Sequence, residues 1–236
     1  TAEEALRALV EADADEALRQ VAMVNTHGNV AVHTGARCIA HAGHRSAPAV
    51  SVQANMMERD TVPGAMLAAY QSTDGDLADR LLAALDAAEG EGGDIRGKQS
   101  AAILVVSGTR TDKPWSGRIM ELRVEDDPEP LRELRRLAKL SRAYRLAFEA
   151  EAAAGAGDMA TAASKIMQAM QLAPGNAEIA FWAAIGLAME GQTAMAKGFL
   201  AQATKVDPRW VELVRRLPAT GIYPLSDETI AELIGD

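Results

Sequence analysis

The stretch Gly92-Gly93-Asp94-Ile95-Arg96-Gly97-Lys98-Gln99-Ser100 runs directly into Ala101-Ala102-Ile103-Leu104-Val105-Val106. Glycine at 92, 93 and 97 is incompatible with a stable helix, and the apolar run after Ser100 reads as a buried strand. The stretch is therefore a loop that feeds a core strand, and it carries an acid, a guanidinium, an ammonium, an amide and a hydroxyl. A loop on such a base holds polar groups in fixed positions, and glycine lets backbone approach a ligand. Two readings follow for Asp94 and Arg96. They pair with each other and brace the loop, or they face a ligand.

Working outward on the C-terminal side, Ser107–Gly117 is a turn-rich excursion, and Arg118–Val124 alternates as a second strand expected to pair with the first. Glu125-Asp126-Asp127-Pro128 is a helix-start cluster, since acids suit the positive end of a helix dipole. From Pro130 onward no strand is expected. Leu131, Leu134, Leu137, Ala138, Tyr144 and Phe148 trace a long helix. A period of 34 then emerges: Gly157 recurs as Gly191, Ala162 as Ala196, Ala169 as Ala203 and Pro174 as Pro208. This pattern resembles two tetratricopeptide repeats, with small alanines where paired helices pack closely and prolines closing each second helix. Trp182 lies off the usual aromatic position, which Leu146 and Ala180 occupy here.

On the N-terminal side, Thr61 to about Glu89 is helical, interrupted over Ser72–Asp76. Val50–Met57 alternates as a strand, which puts Gln53 and Asn55 on one face. Paired carboxamides donate to a developing oxyanion without carrying charge, or they satisfy neighbouring backbone as a buried pair. Gly35–Pro48 is irregular in this reading. Its Cys38, His41 and His44 have metal-like spacing at i, i+3 and i+6, but zinc sites take three or four ligands of fixed geometry and the chain holds no second cysteine. No metal or other cofactor is expected. Cys38 reads as a small core residue and His44 as an ordering or binding residue of its loop. Gln20–Asn25 and Val30–Thr34 form a hairpin about Thr26-His27-Gly28-Asn29. Thr1 to about Arg19 is an amphipathic helix, opened by a Thr1/Glu4 capping box rather than by a threonine nucleophile.

Composition narrows the function classes. The 236 residues carry a net charge of −9 without a basic block, so nucleic acid is not an expected partner. No apolar run is long enough for a membrane span, and the first residues lack signal-peptide character. With a single cysteine, a reducing, cytoplasmic location is expected.

Thr34-Gly35, Cys38, Ala42-Gly43-His44, Gln53-Ala54-Asn55-Met56-Met57, the Gly92–Ala101 stretch and Leu122-Arg123-Val124-Glu125-Asp126-Asp127-Pro128 together resemble the bacterial domain-of-unknown-function 1028 family. Some members carry an extension similar to Pro174–Ile234, including Asp207-Pro208-Arg209-Trp210. That extension has been described as peptidoglycan-binding, a label the 34-residue period does not support. The resemblance implies an N-terminal-nucleophile-hydrolase-like αββα sandwich over residues 1–128, and with the all-α tetratricopeptide-like unit read from the 34-residue period over 129–236 the expected fold class is α+β. Relatives begin further upstream, with strands that would carry the nucleophile. The chain is thus expected to lack those strands, and to meet them as a separate segment or to cover its sheet edges as a homo-oligomer. Two functions are implied. One is amide-bond hydrolysis of a small amide or peptide, with Asn55 and Gln53 as oxyanion donors and Asp94, Arg96 and His44 binding substrate. The other is a catalytically silent scaffold that binds protein or peptide through the helical repeat.

Overall fold

The first helix, α1, runs Ala2–Ala12, and the Thr1 hydroxyl accepts from the Glu4 N–H while the Glu4 side chain closes the capping box. It ends well short of Arg19, contrary to the sequence expectation. The Asp13 carboxylate takes the Asp15 N–H at 2.8 Å and the Arg19 Nε at 2.7 Å, and that local competition turns the chain. The structure, a computed structural model, describes residues 1–235. It divides into two compact units, Thr1–Ala138 and Lys139–Asp236.

In the first unit the strands form three separate two-stranded antiparallel pairs. Strands β1 (Gln20–Val24) and β2 (Val30–Thr34) are joined through Asn25, whose Oδ1 accepts from the N–H groups of His27 and Asn29. Strands β3 (Gly43–Ala47) and β4 (Val50–Ala54) turn through Pro48-Ala49, with Ala49 at φ 61°. The segment expected to be irregular thus contains β3, and β4 stops at Ala54 rather than Met57. Met56 adopts φ 59°, a left-handed conformation that ends the extended backbone.

Helices α2 (Val62–Ser72) and α3 (Leu77–Gly90) follow, broken where the sequence breaks its apolar face, with Asp76 capping the second. Strands β5 (Ala101–Val106) and β6 (Arg118–Val124) pair with a bulge at Val105/Val106. Alternation along β5 is sharp: Ile103 is 5% exposed and Leu104 59%. Ile103, Met120 and Val124 pack with Ala78 and Leu82 of α3 and with Leu134 and Ala138. The last two belong to α4 (Pro130–Gly155). That packing keeps the first turns of α4 with the first unit, so the compact units divide at Ala138 rather than at 128/129.

The second unit is helical, with α5 (Met159–Leu172), α6 (Ala177–Met189), α7 (Thr193–Val206), α8 (Trp210–Arg216) and α9 (Asp227–Ile234). The 34-residue period is visible in the backbone. The Asp158 N–H reaches the Ala153 carbonyl and the Gln192 N–H the Leu187 carbonyl, both at 2.9 Å, beside left-handed Gly157 and Gly191. Ala169 and Ala203 are fully buried at matching places in α5 and α7. Helix α6 is buried around most of its circumference, and Phe181 stacks against Trp210 at 4.8 Å. None of the described helices is long and apolar enough to cross a membrane.

Candidate functional site

The glycine loop is held against the residues that follow Asn55. Glu58 N–H donates to the Gly93 carbonyl at 3.0 Å, Ile95 N–H donates to the Met56 carbonyl at 2.9 Å, and Met57 and Asp94 form an antiparallel bridge. Gly92 and Gly93 have φ of 108° and 66°. At φ 108° Gly92 occupies a backbone conformation that L side chains rarely adopt, and that conformation requires glycine there.

Within this loop Arg96 grips Asp94 with both arms of its guanidinium, Nε to Oδ1 at 2.9 Å and a terminal nitrogen to Oδ2 at 2.6 Å. The Arg96 N–H also reaches Asp94 Oδ1, at 2.8 Å. The side-chain bonds from Arg96 hold the Asp94 carboxyl below its ordinary pKa, and the same bonds raise that of Arg96. Asp207 and Arg209 reproduce the arrangement in the second unit, at 2.6–3.0 Å. An Asp-x-Arg clamp that recurs in an unrelated loop is a local backbone device. Of the two readings open for the pair, mutual bracing is the arrangement present. Lys98 lies 3.4 Å from Glu89 and from Glu129, and hydrogen bonding to Glu89 and then Glu129 raises its pKa. An open cavity of about 680 Å³ runs along Gly93–Ala102, and its cations Arg96 and Lys98 both have carboxylate partners.

Asn55 stands one residue past β4, half-buried, and its Oδ1 accepts from the N–H of Met56 at 2.9 Å. A backbone N–H can only donate, so that bond fixes the amide with its oxygen inward. The Nδ2 donors then point away from the bond, and they have no protein acceptor among the described residues. Gln53 is exposed on β4 opposite His44 of β3. With β4 ending at Ala54, pleat alternation no longer relates Gln53 to Asn55, and the two carboxamides share no hydrogen bond.

Three polar residues of this region carry no signal in local periodicity. Gln20 Nε2 lies 3.1 Å from Thr34 Oγ1, 3.1 Å from the Gly43 carbonyl and 3.0 Å from the Ala54 carbonyl, tying the first hairpin to the second. Thr34 Oγ1 in turn meets His44 Nδ1 at 2.8 Å. His41, left-handed at φ 69°, donates from Nδ1 to the Glu58 carbonyl at 2.8 Å. Cys38, His41 and His44 therefore take separate partners, the Cys38 thiol lying 3.5 Å from the Arg19 carbonyl. Only a strand-initial glutamine and a threonine two residues after a strand valine were there to be read.

No curated protein matches the chain. Among solved structures, the crystal structure of protein SPO2555 from Silicibacter pomeroyi is 31% identical, with 58% of this chain and 58% of that chain covered and a TM-score of 0.49. The chain thus spans less than two thirds of that protein. The family described as "Family of unknown function (DUF1028)" matches residues 1–134, more than half of the sequence, and the chain belongs to that family.

Proposed function

We propose that this chain is part of an amide-bond hydrolase of the N-terminal-nucleophile type, with its nucleophile on a segment outside the chain and Asn55 as the oxyanion donor. The supporting observation is the orientation of the Asn55 amide beside left-handed Met56. A bulky residue at positive φ is strained and persists only where its surroundings hold it, a condition that clusters at functional sites. Here the bond from the Met56 N–H orients two uncharged donors before any substrate arrives, which is the requirement for stabilising a tetrahedral oxyanion. In this reading the paired strands complete an αββα sandwich when the further segment is present. His44 lines the adjacent cavity and contacts the substrate, while Gln53, exposed on the strand, is a secondary donor. Asp94 and Arg96 act by shaping the loop backbone.

The 34-residue recurrence of helix ends and buried alanines supports reading the second unit as a tetratricopeptide-like helix-pair repeat that binds protein or peptide. That recurrence favours the alternative, a scaffold without catalysis. The two readings separate in one assay. A form that carries the proposed nucleophile segment is incubated with a panel of N-acyl amino acids, amino-acid amides and dipeptides, and release of free amine is followed. Turnover of any member supports the hydrolase. Absence of turnover across the panel, with a helical unit that retains a peptide ligand, supports the scaffold.

A further inference from the structure

From Gln20 to Met57 the sequence contains no Asp or Glu, although the whole chain holds 33 acids. All four histidines lie inside that block, together with Arg37 and Arg45. The fold gathers these residues at the β1–β4 hairpins. There the segment 34–45 lines a shallow, open cavity of about 450 Å³ without a carboxylate in its lining. Pockets of this volume accept molecules of amino-acid size.

The charges around the cavity are unevenly satisfied. Arg37 is paired with Asp15 at 3.3 Å and does not line the cavity. His33 is paired with Glu16 at 3.1 Å. The Glu58 carboxylate lies against Gly92. Arg45 does line the cavity, and its guanidinium has no carboxylate partner among the described residues. One terminal nitrogen donates to the His44 carbonyl at 2.8 Å, which leaves the rest of the fork open. The two imidazoles of the lining are oriented through one nitrogen each. His41 Nδ1 is committed to the Glu58 carbonyl and His44 Nδ1 to Thr34, so Nε2 is the available nitrogen on both rings. Thr34 Oγ1 can donate to His44 Nδ1 or accept from it, and when it donates Nε2 of His44 is an N–H donor; His41, whose Nδ1 carries the proton given to the Glu58 carbonyl, adds an Nε2 donor when the ring is protonated.

We propose that this cavity binds a small oxyanion, a carboxylate or a phosphate, held by the Arg45 fork with His41 and His44 beside it. A planar guanidinium without a protein carboxylate is matched to such a ligand, and a surface without acids adds no repulsion in an otherwise acidic protein. Gly43 is opposite Ala54 in the β3–β4 ladder, so the cavity loop joins β3 beside the point where Asn55 leaves β4. The oxyanion is then the anionic end of the substrate whose reacting carbonyl meets Asn55. That role rests on the hydrolase reading, whereas the binding itself does not.

The test is an equilibrium titration of the purified protein, read by calorimetry and by the imidazole resonances of His41 and His44. The probes are N-acetylglycine, inorganic phosphate and the neutral N-acetylglycinamide. One or both oxyanions are expected to bind and to shift the two imidazoles, with N-acetylglycinamide silent at the same concentration. Preference for N-acetylglycine identifies a carboxylate ligand, and preference for phosphate a phosphorylated one. Arg45→Gln is expected to weaken binding by about tenfold or more, as loss of a charge-assisted fork does, while Arg110→Gln, a surface control, binds as the unmodified protein. Equal binding of the neutral amide, unchanged affinity in Arg45→Gln, or no response to either oxyanion overturns the proposal. Should Arg45→Gln not fold, the comparison of charged with neutral probe on the unmodified protein decides alone. Oxyanion binding by this chain, with no turnover of the amide panel by the form that carries the proposed nucleophile segment, overturns the hydrolase reading only, and turnover of neutral amides by that form without oxyanion binding overturns the oxyanion site only.

Discussion

Arg96 holds Asp94 through two parallel side-chain bonds, 2.9 and 2.6 Å, and a third from its own backbone N–H. The pair closes the turn between Gly93 and Gly97, and Lys cannot reproduce the fork. Arg96→Lys is therefore expected to lower the melting temperature slightly and to raise amide exchange over residues 94–97. Binding of any small ligand should be unaffected. A variant that keeps the exchange pattern but loses a ligand would assign Arg96 to binding instead.

The sign of the pH dependence follows from the same pair. Asp94 titrates below its ordinary value in the folded protein, because its charged form is hydrogen-bonded by Arg96. Its contribution to stability is fully present above the unfolded carboxylate pKa, about 4, and is lost as pH falls through the lower folded value. Asp94→Asn removes that contribution. Its stability relative to the parent is expected to be lowest near neutrality and to converge on the parent in acid, measured by urea melts from pH 7 to pH 2.5. A gap that does not narrow would show that the carboxylate charge is irrelevant to the loop.

Gln20 is the seam between two hairpins that share no ladder. Gln20→Leu removes the two amide hydrogens that the Gly43 and Ala54 carbonyls and Thr34 share in a partly buried place, at a cost of about 1–3 kcal/mol. Chemical denaturation measures it. A loss within error of zero would mean that water replaces the amide freely.

Gly35 and Gly198 make opposite demands. A Cβ on Gly35 would stand 2.3 Å from the Ala17 carbonyl oxygen, whereas one on Gly198, inside α7, meets nothing within 4 Å. Gly35→Ala is expected to destabilise by about 1–3 kcal/mol or more, because backbone must move. Gly198→Ala is expected to stabilise by about 0.5–1 kcal/mol. Thermal melts that rank the two the other way would contradict the packing around Gly35.

Matching alanines test the helical unit. Ala169→Trp and Ala203→Trp should each cost about 1–3 kcal/mol, since both sites are fully buried at helix contacts. Ala156→Trp, at an exposed site, should be neutral. Equal tolerance at all three would remove the packing basis of the repeat.

Much of this architecture is written in local chemistry. The Thr1/Glu4 box, the Asn25–Asn29 turn, the break between α2 and α3, and the pairing of β5 with β6 each rest on residues a few positions apart or on an apolar run. The 34-residue period is legible because the same small side chains return at the same helix contacts. Strand β3 is not, since Gly43-His44-Arg45-Ser46-Ala47 has little apolar alternation and its turn is Pro48-Ala49 rather than an Asn-Gly pair. Helix α1 stops at Asp13 although its apolar pattern continues, because one carboxylate competes for the backbone. Nothing in a methionine announces positive φ, so the end of β4 and the setting of Asn55 emerge only in three dimensions. Gln20 is hidden for a related reason: its acceptors lie 23 and 34 residues away.

The orientation of the Asn55 amide is the point on which the functional reading stands, and one substitution isolates it. Asn55→Asp keeps an oxygen to accept the Met56 N–H and so preserves the turn, but it replaces both Nδ2 donors with a negatively charged oxygen. The measurement is kcat of the form that carries the proposed nucleophile segment on whichever amide it turns over, for the parent and for Asn55→Asp at equal folded fraction. The expected result is a fall of about 10²–10³-fold with the melting temperature almost unchanged, the magnitude typical of losing one oxyanion donor. A variant that retains the parent kcat would contradict the assignment of Asn55 and, with it, the proposed site.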